Sequence, residues 1–514
     1  MVLCLSLIIV FVGNSSLNVA IPTLSKHFHA TNSQLQWVVA AYSLVFAGLL
    51  FSAGAIGDRF GRKGALQLGL LIFLVGAALA SVSTSISQLI ACRALMGAAA
   101  AFIMPSTLSI LVNVFPPHER TKAIAFWAAT SGGAGALGPV ASGYLLGHFW
   151  YGAVFLVNIP IIAFALLAGR FLVPRSRDPE KAPLDPLGAA LSTIGIAGLV
   201  YGLIQAPERG WASGHTLAAF GIAIVVLALF VAWELRVDEP MLDMHLFRSP
   251  AFSAGSGGMI LIFLAMFGVM FLITQYFQLV LGYSPLGAAL RFLPMSPIMV
   301  LVATRTPRLA ARFGAHRTVS TGMSLVAVGL LMFRGLDIDT SYFYVLASIV
   351  PLTVGIAMAM SPMTASIMSA VPSRRAGAGS AMNDATRELG AALGVAVLGS
   401  LAASRYSTSI GRALDTLPAE ARGSARTSLG GALEAANKLD DAAGRTVRLA
   451  AQHAFVNGVH FAVTIAACLA VAAAVVVLRF LPHEATHETA TDSAEHMAEL
   501  GVGGVPPLFD GRAG

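Results

Sequence analysis

Three residues able to exchange or hold a charge stand together in the segment 383–388, Asn-Asp-Ala-Thr-Arg-Glu. Spacings of three and four place Asp384, Arg387 and Glu388 on one face of a helix. A carboxylate in a low-dielectric surrounding, next to an arginine, can gain and lose a proton as that surrounding changes. The segment is therefore a candidate proton-transfer site, and a static ion pair of Arg387 is the alternative.

Acidic residues are scarce elsewhere in the apolar parts of the chain. Residues 1–173 contain only Asp58 and Glu119. Arg93 lies inside an apolar segment, where a charge costs at least about 2.5–3.5 kcal/mol if it stays unpaired. We expect this arginine to face a cavity or a partner and to control the proton relay or the substrate path. The alternative is a structural arginine that backbone carbonyls satisfy.

The composition excludes most other kinds of chemistry. Cys4, Cys92 and Cys468 have neither a zinc spacing nor a disulfide framework. No nucleotide-binding P-loop is present. We therefore expect no metal, no cofactor other than the proton as coupling ion, no catalytic residue and no enzyme activity. The basic residues form short clusters rather than one stripe, which argues against nucleic-acid binding.

The elements that must position these residues are membrane-spanning helices. Only 11% of the 514 residues are charged and 56% are hydrophobic, whereas soluble domains are about 25% charged. Runs of at least about 17 apolar residues are long enough to span a bilayer, and they do not alternate as barrel strands do. Fourteen runs are predicted: 2–24, 35–57, 64–83, 88–113, 121–147, 151–173, 185–206, 216–236, 253–281, 286–304, 318–333, 342–369, 383–403 and 454–481.

The distribution of basic residues predicts the orientation in the membrane. Alternate short loops hold sixteen Lys and Arg residues, and the loops on the opposite side hold three. Because cytoplasmic loops carry the excess of basic residues, both termini are expected in the cytoplasm of a multi-pass cell-membrane protein. The first run is expected to be a helix rather than a cleaved signal peptide. The tail 482–514 is expected to be disordered.

Two pairs of similar segments indicate an internal duplication. Ala-Arg-Phe-Gly at 311–314 repeats Asp-Arg-Phe-Gly at 58–61, and Ala-Ala-Leu-Gly at 391–394 resembles Gly-Ala-Leu-Gly at 135–138. The similar offsets predict two six-helix halves around a central cavity, which is a transporter architecture. The predicted organisation is an N-terminal half at 1–173, a linker with two inserted helices at 174–251 and a C-terminal half at 252–481. The second half contains a long, partly helical external loop at 404–453.

At these residues the chain resembles the major facilitator superfamily, and within it the fourteen-helix branch of drug:proton antiporters. Residues 54–66 match the signature of the loop between helices 2 and 3, G-x-L-a-D-r-x-G-r-k-x-x-l, almost throughout. Residues 89–97, with Arg93 at their centre, resemble the helix 4 motif. Residues 138–143 resemble the helix 5 antiporter motif G-P-x-x-G-G, with Ser142 for the first Gly of the pair.

The resemblance implies roles for several of these residues. It implies a conformational latch at the loop between helices 2 and 3, formed by Asp58, Arg59, Gly61 and Arg62. It implies a hinge that seals the cavity against protons at the antiporter motif, Gly138, Pro139 and Gly143. Two positions depart from the branch. Gly13 stands where many relatives have an acid on helix 1, and Glu388 stands where a Gln is common, so Glu388 is a candidate replacement for that acid.

The predicted function is proton-coupled export of lipophilic, cationic small molecules by alternating access. The alternative is a dedicated exporter of one endogenous metabolite, siderophore or lipid. Mostly apolar cavities with a few polar groups suit such ligands, and one copy of the chain is expected to suffice. Candidate substrate-binding residues are Asn18, Trp37, Tyr42, Trp127, Gln275, Tyr276 and Gln278.

Overall fold

The structure is a computed structural model that describes residues 2–174, 185–238, 240–371, 376–411, 414, 417 and 419–481. Within the helices, the side chains of Asp58, of 376–380, of 419–421 and of several residues at 112–136 lie outside this description. The predicted tail and the first part of the predicted linker also lie outside it.

The described secondary structure is helical throughout, because a helix satisfies its backbone hydrogen bonds within one segment and lipid offers no others. A π-helical turn follows α10 at Tyr276–Val280, and short 3₁₀ turns lie at Met244–Arg248 and Phe333–Gly335. The helices are α1 Val2–Phe28, α2 Asn32–Phe60, α3 Arg62–Ser81, α4 Ile86–Val114, α5 Pro117–His148, α6 Ala153–Leu156, α7 Asn158–Leu172, α8 Pro186–Arg209, α9 Gly214–Glu234, α10 Pro250–Gln275, α11 Pro285–Phe292, α12 Met295–Ala303, α13 Thr306–Phe313, α14 Ala315–Met332, α15 Tyr342–Ser369, α16 Ala376–Ser409, α17 Ala419–Thr427, α18 Leu429–Ala436 and α19 Asp441–Phe480.

Thirteen segments among the described residues are long and apolar enough to cross a membrane. They coincide with thirteen of the fourteen predicted spans. The remaining span, 121–147, falls on α5, part of which lies outside the description. The chain is therefore a multi-pass membrane protein, and the count of fourteen stays a prediction.

The helices pack as two bundles with an inserted pair beside them. In the first bundle, α1 packs against α5, and α4 against α2 and α3. In the second, α10 packs against α16, and α14 against α15 and α19. The bundles meet where α2 contacts α16 and α5 contacts α11. The inserted helices α8 and α9 pack on each other, and α8 also contacts α2 and α16.

The boundaries of the last two spans differ from the prediction. Helix α16 continues to Ser409, and α19 begins at Asp441, well before the apolar run that starts at 454. The extension of α19, residues 441–453, is rich in Ala and Arg, which are good helix formers, so this helix continues beyond its apolar run. The predicted external loop is correspondingly shorter, and it contains two short helices, α17 and α18, which we call the cap.

The two turns predicted to be related have the same local geometry. Gly61 ends α2 with φ 122°, and Gly314 ends α13 with φ 85°. Each donates its backbone N–H to a carbonyl four residues earlier, at 2.9 Å. Arg59 lies over Phe60 at 5.6 Å, and Arg312 lies over Phe313 at 5.2 Å. This equivalence supports the duplication.

Candidate functional site

Arg93 is fully buried on α4 and is held by groups from two other helices. Its Nε donates to Val38 O on α2 at 3.1 Å. Its terminal nitrogens donate to Gly13 O at 3.2 Å and to Asn14 Oδ1 at 3.4 Å on α1. Its guanidinium carbon lies 4.3 Å from the centre of the Tyr42 ring. Carbonyls and an aromatic face, rather than a direct ion pair, therefore stabilise this charge.

The motif at 89–97 brings α4 close enough to α2 for this stacking. A methyl group at Gly97 would overlap the carbonyl oxygen of Tyr42. Small residues at a helix contact let the two backbones approach closely in a membrane. Gly97 therefore sets the distance over which Arg93, one turn earlier on α4, reaches the Tyr42 ring.

Glu388 on α16 faces the first bundle. It interacts electrostatically with Arg93, and the Ser43 hydroxyl of α2 lies beside it without the geometry of a hydrogen bond. Its Oε2 is buried, and no hydrogen-bond partner for it is found among the described residues. One charged group of each bundle thus lies within electrostatic range of the other across the interface between α2 and α16.

Asp384 and Arg387 form a second charged group on α16. Their side chains form a pair at 3.8 Å and are 20% and 30% exposed, respectively. Arg387 also donates to Thr364 Oγ1 on α15 at 3.4 Å and lies over the Phe263 ring on α10. The three residues share a helix face as predicted from their spacing, but Arg387 turns into the second bundle while Glu388 faces the first.

The antiporter motif joins α5 to both bundles. Ser16 Oγ on α1 donates to Gly138 O at 3.0 Å, and Ser142 Oγ donates back to Ser16 O at 2.8 Å. The serine that departs from the family motif therefore fastens α5 to α1. A methyl group at Gly143 would overlap the backbone of Pro285 and Leu286 on α11. Pro139 lies within α5 and is buried.

The loop between α2 and α3 carries the predicted latch residues. Arg59 is exposed, Gly61 forms the turn, and Arg62 begins α3. Lys63 Nζ donates to Arg170 O at the end of α7 at 2.7 Å, which ties the loop to a neighbouring helix. The side chain of Asp58 lies outside the described residues.

The predicted substrate-binding residues do not converge on one cavity. Gln275, Tyr276 and Gln278 donate to the carbonyls of Phe271, Asp337 and Val19, respectively. Trp127 donates to Thr107 Oγ1 on α4, and Trp37 lies 6.4 Å from Tyr201 on α8. Tyr42 stacks on Arg93. Asn18 is buried, and no partner for its Oδ1 is found among the described residues.

Contacts between the bundles concentrate on the side of the molecule that carries the turn at His29, here called the His29 face. Asn32 Nδ2 donates to Gly399 O at 3.3 Å, and Ser400 Oγ donates to Gln36 Oε1 at 3.1 Å. The cap lies over the same face, with Glu434 of α18 at 2.7 Å from His29 Nδ1. A cavity of about 510 Å³ lies beneath it, between α1, α18 and α19. The two bundles are therefore in contact at this face, and we call this state of the face closed.

The sequence did not single out several of the residues that build these contacts. Asn14, Ser43 and Thr364 are uncharged, and their role depends on the charged residues beside them. These are Arg93, Glu388 and Arg387, respectively. Arg291 lies 3.5 Å from the Tyr283 ring and 5.4 Å from the Tyr342 ring at the His29 face. The presence of an arginine inside the predicted span 286–304 could have pointed to this cluster. Among the described residues, no group of three or more His, Cys, Asp and Glu side chains is positioned to hold a metal ion.

Comparison with solved structures shows a similar fold at low identity. A bacterial homologue of the human lysosomal transporter Spinster superposes with a TM-score of 0.64 at 16% identity, over 93% of this chain and 96% of that one. A structure of the xylose transporter XylE from E. coli gives a TM-score of 0.56 at 13% identity, over 96% and 98% of the two chains.

Relatives in sequence are more informative. The chain is 37% identical to the multidrug efflux pump LfrA of Mycolicibacterium smegmatis, over 93% of this chain and 94% of that protein. It is 34% identical to the methyl viologen resistance protein SmvA of Salmonella typhimurium, over 86% and 89%. It is 32% identical to the tetracenomycin C resistance and export protein of Streptomyces glaucescens, over 90% and 87%. The model of the Major Facilitator Superfamily matches residues 3–395, and the chain belongs to that family.

Proposed function

We propose that this chain exports lipophilic, cationic small molecules across the cell membrane in exchange for protons. Three relatives that align along most of its length are named for drug efflux or resistance. The absence of a P-loop from the sequence supports an ion gradient rather than ATP as the energy source. The activity is transport rather than catalysis, and one copy of the chain suffices because both sides of the charged site come from the same chain.

The proposed orientation places the loop between α2 and α3 in the cytoplasm and the His29 face outside. The sixteen-to-three distribution of basic residues supports it. Both termini are then cytoplasmic, and the closed His29 face corresponds to a state that does not open outward. Opening toward the outside must separate α2 from α16 and move the cap.

Glu388 carries the exchanged proton in this proposal, and Arg93 is the fixed charge that tunes it. The single observation that carries the proposal is that these two residues come from opposite bundles and interact across their interface. When the bundles rock, the separation between the two charges changes. Because an adjacent positive charge favours the ionised carboxylate, the proton affinity of Glu388 changes with it. Transport and proton transfer are coupled in this way.

The remaining site residues have supporting roles in the proposal. Asp384 and Arg387 form a second charged group on the partly exposed side of α16 and shape the proton path. The loop between α2 and α3 acts as the latch, with Lys63 holding α7. The antiporter motif keeps α1, α5 and α11 in contact while the His29 face is closed, which prevents proton leakage.

Proton release from acidified everted vesicles tests this proposal. Wild type should discharge the gradient when methyl viologen or another lipophilic cation is added. Glu388→Gln should abolish the discharge at equal protein level, and Asp384→Asn should weaken it. Glu208→Gln is the matched control, because Glu208 is exposed at the end of α8. A Glu388→Gln variant that discharges the gradient like wild type would exclude Glu388 as the coupling residue.

A dedicated exporter of one compound is the second candidate. The similarity to a tetracenomycin C export protein favours it, because that relative is named for one compound. Gly13, in place of an acid, removes an attraction for cations from α1. In the vesicle assay, discharge by a single neutral or anionic compound and by none of the cations would support this alternative.

A further inference from the structure

Two carboxylates from the inserted helices converge on a single glycine, away from the coupling site. Asp185 precedes α8, and Glu234 is the last residue of α9. They are only 8% and 3% exposed. A methyl group placed on Gly188 would overlap Asp185 Oδ2 and Glu234 Oε1 together, so these two oxygens approach each other closely beside the glycine.

The other oxygens of this pair already have donors. Gly188 N donates to Asp185 Oδ1 at 2.8 Å, and Trp233 Nε1 lies 3.0 and 3.1 Å from the two oxygens of Asp185. Leu242 N donates to Glu234 Oε2 at 2.9 Å. Glu234 Oε1 is buried and has no protein donor among the described residues. Two ionised carboxylates in such a contact repel each other, so the contact is stable only when one of them carries a proton and donates it.

Helix geometry identifies which carboxyl holds the proton. Asp185 caps the N-terminus of α8, where the helix dipole and the N–H donors favour a negative charge. Glu234 lies at the C-terminus of α9, where the dipole disfavours one. Glu234 therefore carries the proton, and its Oε1 hydroxyl donates to Asp185.

No positively charged side chain among the described residues neutralises the second carboxylate in place of that proton. Asp185 is the charged group that interacts with Glu234 among the described residues. On the segment that follows α9, Asp243 pairs with His245 at 3.0 Å. On α2, the uncharged Ser52 contacts Met241 of this segment. The other described charged side chains of α2 and of the segment that follows α9 are exposed: Arg59, Arg236, Asp238, His245 and Arg248. Helix α16, which also packs on α8, carries the charged residues Asp384, Arg387 and Glu388, none of which interacts with Glu234.

We infer that Asp185 and Glu234 form a one-proton binding site that fastens the segment 235–249 to α9. Its ligand is a proton taken from the side of the loop between α2 and α3. That segment leads directly into α10, which packs on α16 in the second bundle. Loss of the proton leaves two buried negative charges, and the contact that holds Leu242 beside Glu234 loosens. The site is separate from Glu388 and does not depend on whether Glu388 carries the transported proton.

Infrared titration of the purified full-length protein tests the site directly. Between about pH 6 and about pH 9, where a protonated buried carboxyl titrates, wild type should lose a carboxylic-acid band that belongs to Glu234, beside any band of Glu388. Glu234→Gln should lack that band, because Gln imitates the protonated side chain and still donates. Asp185→Asn should shift its midpoint to lower pH, because the neighbouring negative charge is removed. Glu388→Gln should retain the band, which separates this site from the coupling site.

Hydrogen exchange of the segment 235–249 provides a second readout. After correction for intrinsic rates, exchange in wild type should accelerate by at least about threefold across the same titration, because the segment opens locally when its anchor weakens. Exchange in Glu234→Gln should stay constant. An unchanged infrared titration in Glu234→Gln would overturn the proposal. A midpoint that moves with the sodium concentration would also overturn it, because the site would then bind a metal cation.

Discussion

The guanidinium of Arg93 stacks on the ring of Tyr42, with 4.3 Å between the guanidinium carbon and the ring centre. The stacking places a fully buried positive charge at the interface where α2 of the first bundle meets α16 of the second. It explains how an arginine inside an apolar helix is stabilised without a direct carboxylate partner, since three oxygens and one aromatic face surround it. The positive charge of Arg93 can therefore still act on the Glu388 carboxylate across the interface.

Replacing Arg93 with Lys should reduce export strongly. A lysine keeps the charge but loses the planar stacking and the fork of donors that reaches Val38, Gly13 and Asn14. We expect the export rate to fall at least about tenfold, which corresponds to ~1.4 kcal/mol. Efflux of a fluorescent cation from cells measures it. Arg445→Lys, at an exposed position of α19, should behave like wild type. Full activity in Arg93→Lys would show that charge alone suffices.

A methyl group at Gly143 should separate α5 from α11. It would overlap the backbone of Pro285 and Leu286, and such overpacking costs about 1–3 kcal/mol. We therefore expect Gly143→Ala to lower the thermal unfolding temperature and to allow protons to leak out of acidified everted vesicles without substrate. Gly135→Ala, on the same helix, has open space and is the control. Equal leakage from the two variants would argue against a sealing role for this contact.

The two duplicated turns should respond alike to substitution. Gly61 and Gly314 have positive φ angles, so Ala at either position costs about 1 kcal/mol or more in backbone strain. Thermal unfolding of Gly61→Ala and Gly314→Ala should show comparable losses of stability. Gly64→Ala, with open space near the start of α3, should be neutral. A loss confined to one of the two turns would contradict their structural equivalence.

The contact between the cap and α1 should weaken in acid. Although partial burial acts in the opposite direction, hydrogen bonds with His29 and Lys438 lower the pKa of the Glu434 carboxyl. A carboxyl with a lowered pKa stabilises the folded state above its ordinary pKa, and this contribution is lost as the pH falls through the folded value. The pair is partly exposed, so its contribution is at most about 1 kcal/mol.

Hydrogen exchange of the cap checks this prediction. At neutral pH, Glu434→Gln should speed exchange at 429–436 relative to wild type. As the pH falls through the lowered pKa of the Glu434 carboxyl, the two proteins should converge. The global unfolding temperature should hardly change, because the contact is local. A difference between the two proteins that persists at the acidic pH would mean that the ion pair does not hold the cap.

The sequence alone determined the class of the protein and most of its helices. With 11% charged residues in a chain of 514, only membrane-spanning helices satisfy every backbone group in lipid, and thirteen predicted spans are found as described helices. Short motifs also contain Gly61, Gly97 and Gly143, which the structure places at a turn and at two close helix contacts. These features are local, because they depend on length, polarity and the size of single side chains.

Only the tertiary structure decided which charges meet. Spacing placed Asp384, Arg387 and Glu388 on one face, yet that face is wide enough to serve two neighbours. Arg387 turns toward α15, and Glu388 toward an arginine almost three hundred positions earlier. Packing likewise directed the polar groups of Gln275, Tyr276 and Gln278 to backbone carbonyls, and it brought Asp185 against Glu234. Such partners come from helices far apart in the chain, so their pairing depends on how the bundles pack and leaves no trace in local spacing.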